Sequence, residues 1–259
     1  MGGRIISVSD LHLWGPQDPL YRALLRFMSE QIKSGDKFVI VGDLFDLFVG
    51  NKSVFVQRYF EVLEALKKLG EKDVEVFYIE GNHDFHLESI FENAPHVRIY
   101  SDYLHYEFNG RKILFSHGDK INAKDYGYQL FRFGLRNLVS QTILEVAPGS
   151  LIDRIGSSMS RASRGYHPEP DEKVVQLFRN YACEQISKGY DFVVLGHSHY
   201  MDDMHFCVED HKGQYVNVGY PRKHCKYLEL TADAPTFKFL NWDDVVIPFR
   251  SSSNRTVSD

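Results

Sequence analysis

The chain has 259 residues, of which 43% are hydrophobic and 25% charged, ordinary values for a folded globular protein with room for a sizeable core. A formal net charge of -5 gives no global attraction to nucleic acid, so no nucleic-acid partner is expected and any anionic ligand must be met by a local field. Cys183, Cys207 and Cys225 are odd in number, scattered and without a CxxC pair, which argues against a disulfide framework and a zinc knuckle and makes a reducing cytosol the expected compartment.

The first apolar run, Ile5 to Val8, is far shorter than the core of a secretion signal and leads straight into Asp10, so no cleaved leader is expected. Met1-Gly2 is followed by Ile6 where N-myristoylation requires Ser or Thr. No uninterrupted apolar stretch reaches the ~18 residues of a membrane-spanning helix. Further strand-type runs follow at Phe38 to Val41, Val76 to Ile79, Ile113 to Phe115 and Phe192 to Leu195, each short and rich in Val, Ile and Phe, as in strands buried on both faces.

Helical stripes separate the first three runs: Leu20, Leu24, Phe27, Met28 and Ile32 form one, and Val56, Phe60, Leu63, Leu66 and Leu69 the other. The first half therefore reads β-α-β-α-β, an α/β fold. From about 120 to 188 the pattern predicts two or three inserted helices, with Pro148-Gly149 between the first two and Pro168-Glu169-Pro170 before the third. From residue 202 onward, runs around Met204 to Val208, Tyr215 to Val218, Tyr227 to Leu230 and Phe237 to Leu240, with turn residues such as Lys212-Gly213, predict a second, largely antiparallel sheet. Residues 1–249 thus read as one domain carrying an inserted helical cap, and the polar stretch 250–259 as a disordered tail.

Each of the five buried strands ends in a polar cluster: Asp10-Leu11-His12, Gly42-Asp43-Leu44-Phe45-Asp46, Gly81-Asn82-His83-Asp84, His117-Gly118-Asp119 and Gly196-His197-Ser198-His199. Ligands of open α/β sheets bind beyond the carboxyl ends of the strands, so the clusters are expected to converge. Their donors are oxygen and nitrogen without thiolate, a set that suits Mn, Fe, Zn or Mg rather than structural zinc. Two cations about 3.5–4 Å apart need a shared anion, for which Asp43 is the candidate. Asp10, His12 and His199 complete one group of metal ligands, and Asn82, His117 and His197 the other.

Two divalent ions facing only the carboxylates of Asp10 and Asp43 leave a cationic site, able to lower the pKa of a water toward ~7 and so supply hydroxide to attack phosphorus. His83 is the expected proton donor, with Asp84 orienting its ring and Asn82 beside it at the reacting centre. The remaining histidines, His86, His96, His105, His205, His211 and His224, are expected to be solvated or structural.

These clusters, together with Asn217-Val218-Gly219, resemble the calcineurin-like metallophosphoesterase superfamily over nearly the whole span from Ile5 to about Leu230. That resemblance implies two facing mixed sheets flanked by helices, an α/β/β/α sandwich, here with a helical lid over the site. The run from His117 through Asp125 and Tyr128 to Arg132, followed by the helical insertion, is similar to the UDP-2,3-diacylglucosamine hydrolases of lipid A synthesis. Those enzymes release UMP and 2,3-diacylglucosamine 1-phosphate, use two manganese ions and bind acyl chains under a helical lid. The likeness implies substrate contacts at Asn82, His83, Asp125, Tyr128 and Arg132. At His83 the chain follows the broader superfamily, the best-studied branch of these hydrolases having Arg there.

The insertion carries Lys120, Lys124, Arg132, Arg136, Arg154, Arg161 and Arg164 against only Asp125, Glu145 and Asp153. Such a basic cap attracts a diphosphate, with Arg161 and Arg164 as further contacts, and holds the protein peripherally on the anionic cytoplasmic face of the inner membrane. Leu130, Phe131, Leu135, Leu138, Val139, Ile143 and Leu144 alternate with those charges as candidate lining for acyl chains. Two other readings stay open: a soluble phosphodiesterase or phosphatase acting on a nucleotide or phosphoprotein, and a non-catalytic metal-stabilised scaffold.

Overall fold

Strand residues alternate between two apolar surroundings, as the period of two along an extended chain requires. The structure, a computed structural model, describes residues 3–122, 148, 171–234 and 236–242. In β1 (Ile5–Val8), β2 (Lys37–Val41) and β4 (Glu75–Ile79), Ile5, Val39, Val41, Phe77 and Ile79 face one cluster, while Ile6, Val8, Phe38, Ile40, Val76 and Tyr78 face another. Both faces are covered, which is why these strands read as continuous apolar runs.

A six-stranded sheet has the order β13-β12-β1-β2-β4-β6, with β6 (Val97–Tyr100), β12 (Lys226–Leu230) and β13 (Lys238–Asn241) completing it. The central pairs β1·β2, β2·β4 and β4·β6 are parallel, and β12 and β13 join antiparallel at one edge. Its outer face is covered by α1 (Pro19–Glu30), α2 (Ser53–Arg58) and α3 (Phe60–Lys68). Helix α1 starts where Asp18 accepts a hydrogen bond from Leu20 N at 3.0 Å and Pro19 takes the first turn.

The facing sheet has five strands in the order β10-β11-β9-β8-β7: β7 (Tyr103–Phe108), β8 (Arg111–Ser116), β9 (Phe192–Leu195), β10 (Asp202–Val208) and β11 (His211–Asn217). Ile113, Phe115, Phe192, Val194 and Val216 meet the first sheet in the middle of the sandwich. On the other side, α4 (Glu172–Ser187) buries Phe178, Ala182 and Ile186 against Leu114, Val193, Leu195 and Tyr215. The four layers are helices, sheet, sheet and helix, the α/β/β/α sandwich. Two-residue strands β3 (Phe48–Val49) and β5 (Asp84–Phe85) pair separately near the site. A short helix α5 (Pro221–His224) follows Gly219.

Four details differ from the sequence expectation. The late strands do not make a sheet of their own: β10 and β11 extend the five-stranded sheet, and β12 and β13 extend the six-stranded one. The β10–β11 turn falls at Glu209 and Asp210, and Gly213 lies within β11, paired with Phe206. In the second helical stripe the chain breaks at Tyr59, which is buried, while Phe60 is 56% exposed. The helix expected as the third of the cap is α4, which packs on the sandwich. The rest of the cap and the tail at 250–259 lie outside the described residues.

Candidate metal centre

The carboxyl ends of β1, β2, β4, β8 and β9 deliver Asp10, Asp43, Asn82, His117 and His197 to one end of the sandwich. Five of the seven expected ligands have left-handed backbones: Asp10 (φ 53°), His12 (45°), Asp43 (52°), His197 (63°) and His199 (56°). L-residues rarely adopt that region, and where they cluster in it the surrounding structure holds them there. Here the restraint includes backbone bonds from Asp10 N to Gly42 O at 3.1 Å and from His12 N to Asp43 O at 3.0 Å.

Potential ligand atoms gather in the two groups read from the sequence, Asp10–His12–His199 and Asp43–His117–His197. A third overlapping set, His12–Asp43–His83, brings in His83. In the first group His12 Nε2 and His199 Nε2 are 3.2 Å apart, and His199 Nε2 is 3.4 Å from Asp10 Oδ1. In the second, His117 Nε2 is 3.2 Å from His197 Nδ1, 3.1 Å from Asn82 Oδ1 and 3.3 Å from Asp43 Oδ2. Two ligand atoms each about 2.1 Å from a metal ion and at right angles to one another lie about 3 Å apart, so these spacings fit a cation in each group. Asp43 Oδ2 is also 3.7 Å from His12 Nε2, and this single oxygen therefore looks onto both groups. Asp43 Oδ1 is occupied by the His83 amide at 2.9 Å.

The supporting contacts orient the ligands. His117 Nδ1 donates to the Val41 carbonyl at 3.0 Å, turning Nε2 inward. His199 stacks on Tyr220 with 4.7 Å between ring centroids and 8° between planes. Arg222 donates to the His12 carbonyl at 2.9 Å and is paired with Asp18. Asn217 Nδ2 donates to Gly196 O at 2.8 Å, fixing the turn that carries His197. Ser9, Tyr78, Tyr220 and Arg222 were not legible as site residues, because nothing in the sequence distinguishes them from ordinary core or surface residues.

Electrostatics match the donor set. Burial works against ionising Asp10, but the neighbouring imidazoles, His199 foremost, hold its pKa below the usual carboxylate range. Asp43 is likewise held well below it, against burial, by His117 and His83. The Asp43 carboxylate overcomes burial to lift His117 to about 10, whereas burial and then His117 push His197 down to about 4. The cluster thus concentrates negative charge on Asp43 and Asp10 among imidazoles, the setting that receives divalent cations.

One expected role is corrected. Asp84 does not orient the His83 ring: it is fully buried and accepts from the backbone amides of Asp43 (3.1 Å), Leu44 (2.6 Å), Phe45 (3.3 Å) and Gly81 (2.9 Å) and from Tyr78 Oη (2.6 Å). The His83 ring is oriented instead by the Asp46 carbonyl, 2.7 Å from Nδ1. Among the other histidines, His224 Nδ1 accepts from Tyr220 N and His96 Nε2 reaches Leu66 O. Asp125, Tyr128, Arg132, Arg161 and Arg164 lie outside the described residues.

Two groups of N/O ligands sharing one carboxylate, at the strand ends of an α/β/β/α sandwich, define the class of a metallophosphoesterase. The chain belongs to the calcineurin-like phosphoesterase family, whose model matches residues 3–201. It is an enzyme of phosphoester hydrolysis. It is 25% identical over 235 residues to the UDP-2,3-diacylglucosamine hydrolase of Psychromonas ingrahamii, covering 89% of this chain and 94% of that one. It is 28% identical over 197 residues to the protein of the same name from Blochmanniella pennsylvanica, covering 75% and 78%. A solved archaeal phosphodiesterase is similar at 15% identity and a TM-score of 0.45, over 92% of this chain and 98% of that chain. Among the described residues no helix is long and apolar enough to cross a membrane.

Proposed function

We propose that the chain hydrolyses the diphosphate of UDP-2,3-diacylglucosamine, or a close analogue, to UMP and 2,3-diacylglucosamine 1-phosphate. The observation that carries this reading is the pair of ligand groups sharing Asp43 in a chain whose curated relatives bear that hydrolase name. Asp10, His12, His199 and Asp43 would hold one divalent ion, and Asp43, Asn82, His117 and His197 the other, with manganese favoured and iron or zinc as alternatives. When bound, the ions supply Lewis acidity: they offset charge on the phosphoryl oxygens and make water nucleophilic at neutral pH.

The chain's own groups do the rest. The Asp46 carbonyl can only accept, so His83 Nδ1 carries a hydrogen and Nε2 is the atom available to the substrate. With Nε2 also protonated, His83 donates to the oxygen that leaves phosphorus, and Asn82 lies beside it at the reacting phosphate. Asp84 is assigned a positioning role through the Asp43 backbone. The basic residues of the insertion, Arg132, Arg161 and Arg164 among them, with Asp125 and Tyr128, would receive the nucleotide diphosphate, and its apolar residues the acyl chains. The same basic surface supports peripheral attachment to the cytoplasmic face of the inner membrane.

The test is to incubate manganese-loaded protein with UDP-2,3-diacylglucosamine and assay UMP. UMP formation that Asp43→Ala abolishes supports the reading. Cleavage of simple aryl phosphodiesters without UMP release would overturn the lipid substrate and leave the phosphoesterase assignment standing.

A further inference from the structure

The two oxygens of Asp10 have different surroundings. The His197 amide donates to both, at 3.1 Å to Oδ1 and 3.0 Å to Oδ2, while Oδ2 alone meets Ser9 Oγ at 2.5 Å and Oδ1 lies toward the imidazoles, 3.4 Å from His199 Nε2 and 4.0 Å from His12 Nε2. Ser9 Oγ is also 2.7 Å from the Val41 carbonyl. A hydroxyl has one proton, and the Val41 carbonyl already receives His117 Nδ1 at 3.0 Å. The carboxylate is the stronger acceptor, so the Ser9 proton goes to Asp10 Oδ2.

The hydroxyl is closed in on every side. Ser9 and Asp10 are both fully buried. A Cβ at Gly196 would stand 2.1 Å from Ser9 Oγ and 2.7 Å from Asp10 Oδ2, so the strand end carrying His197 passes directly against this pair. No rotation of Ser9 toward solvent competes with its place beside Asp10.

We propose that Ser9 is a positioning residue for the Asp10–His12–His199 group. By holding Asp10 Oδ2 it leaves Oδ1 as the oxygen turned toward His199 and His12, the one that would meet a cation in that group. Ser9 bonds no side chain of the Asp43–His117–His197 group: His117 is held by the Val41 carbonyl through its Nδ1, and the link to His197 runs only through the backbone amide that Asp10 accepts. The assignment rests on the two-metal reading and concerns affinity for one member of the pair. Residues that orient metal ligands in this way are worth about 10- to 100-fold in affinity.

The experiment uses the full-length chain and manganese alone, without substrate. Purified metal-free wild type and Ser9→Ala are titrated by calorimetry and followed by electron paramagnetic resonance. Wild type is expected to take two equivalents and show an exchange-coupled spectrum. In Ser9→Ala one equivalent is expected to bind as in wild type while the other weakens about 10- to 100-fold, so that substoichiometric metal gives the six-line signal of isolated manganese. Thermal unfolding of the metal-free proteins is compared in parallel, where the lost hydrogen bond to a buried carboxylate is expected to lower the melting temperature of Ser9→Ala by about 3–12 °C.

Two equivalents of wild-type affinity in Ser9→Ala would overturn the proposal. So would equal weakening of both equivalents, which would assign Ser9 to packing of the whole site. Wild type that takes up fewer than two equivalents would sink the two-metal reading itself, and the Ser9 assignment with it.

Discussion

Asp84 Oδ1 accepts the backbone amide of Asp43 at 3.1 Å, so the carboxylate of one strand end fixes the backbone of the residue placed between the two ligand groups. Leu44 N, Phe45 N, Gly81 N and Tyr78 Oη donate to the same carboxylate. In Asp84→Asn an NH2 group would face donors, and a buried polar group left without its partner costs about 1–3 kcal/mol. Metal-free Asp84→Asn is expected to be destabilised by about 3 kcal/mol in urea unfolding, with weaker metal uptake as Asp43 shifts. A variant within about 0.5 kcal/mol of wild type that lost only turnover would return Asp84 to the role of orienting His83.

His83 stands at the edge of the ligand set, its ring centroid 4.7 Å from that of His12. His83→Ala is expected to keep two equivalents of metal and to lower turnover of an aryl phosphodiester by about 10²- to 10⁴-fold, the usual contribution of a positioned proton donor. Metal analysis of the purified variant decides the matter. Loss of one equivalent would make His83 a ligand, in line with its place in the His12–Asp43–His83 set.

The gathering of these side chains was legible in the sequence because each candidate ligand follows a run buried on both faces. A strand such as Phe192–Leu195 is apolar at every position, so the change to Gly-His-Ser-His marks its end sharply. Sheet membership was not legible. Nothing in the local patterns of β10 and β12 marks which sheet they join, and the choice depends on partners distant in the chain. The role of Asp84 was misread because it adjoins His83 in sequence. It begins β5, where neighbouring side chains point to opposite sides, so adjacency in the chain separates the two groups in space. Phe60 was misplaced because the buried stripe runs through Phe55, Tyr59, Val62, Leu66 and Leu69, at helical spacing, and Phe60 lies beside it on the exposed side.

Gly81 tests how tightly Asp43, the proposed shared ligand, is held. A Cβ there would lie 2.0 Å from Asp43 Oδ1 and 2.5 Å from Asp43 N, and the backbone atom cannot swing aside as a flexible side chain would. Gly81→Ala is expected to cost about 1–3 kcal/mol by overpacking and to displace Asp43 from between the two groups. Far-ultraviolet circular dichroism should stay that of the wild type while manganese uptake falls to one equivalent or less. Full uptake of two equivalents would mean that Asp43 is not the shared ligand.

The left-handed backbones of Asp10, His12, Asp43, His197 and His199 make the unliganded site costly to maintain. Such a conformation costs an L-residue about 1–2 kcal/mol. Cations that occupy the site bind the folded chain and not the unfolded one, so they offset this cost by linkage. At free metal 100-fold above the dissociation constant each ion contributes about 2.7 kcal/mol. In a chain of this size a kcal/mol is worth about 2–4 °C, so saturation at both groups is expected to raise the melting temperature by about 10–20 °C over chelated protein. Differential scanning calorimetry at several manganese concentrations checks this, because the melting temperature must climb with free metal. A melting temperature indifferent to manganese and to chelator would show that the five ligand turns are held by the sandwich alone and that no cation binds between them.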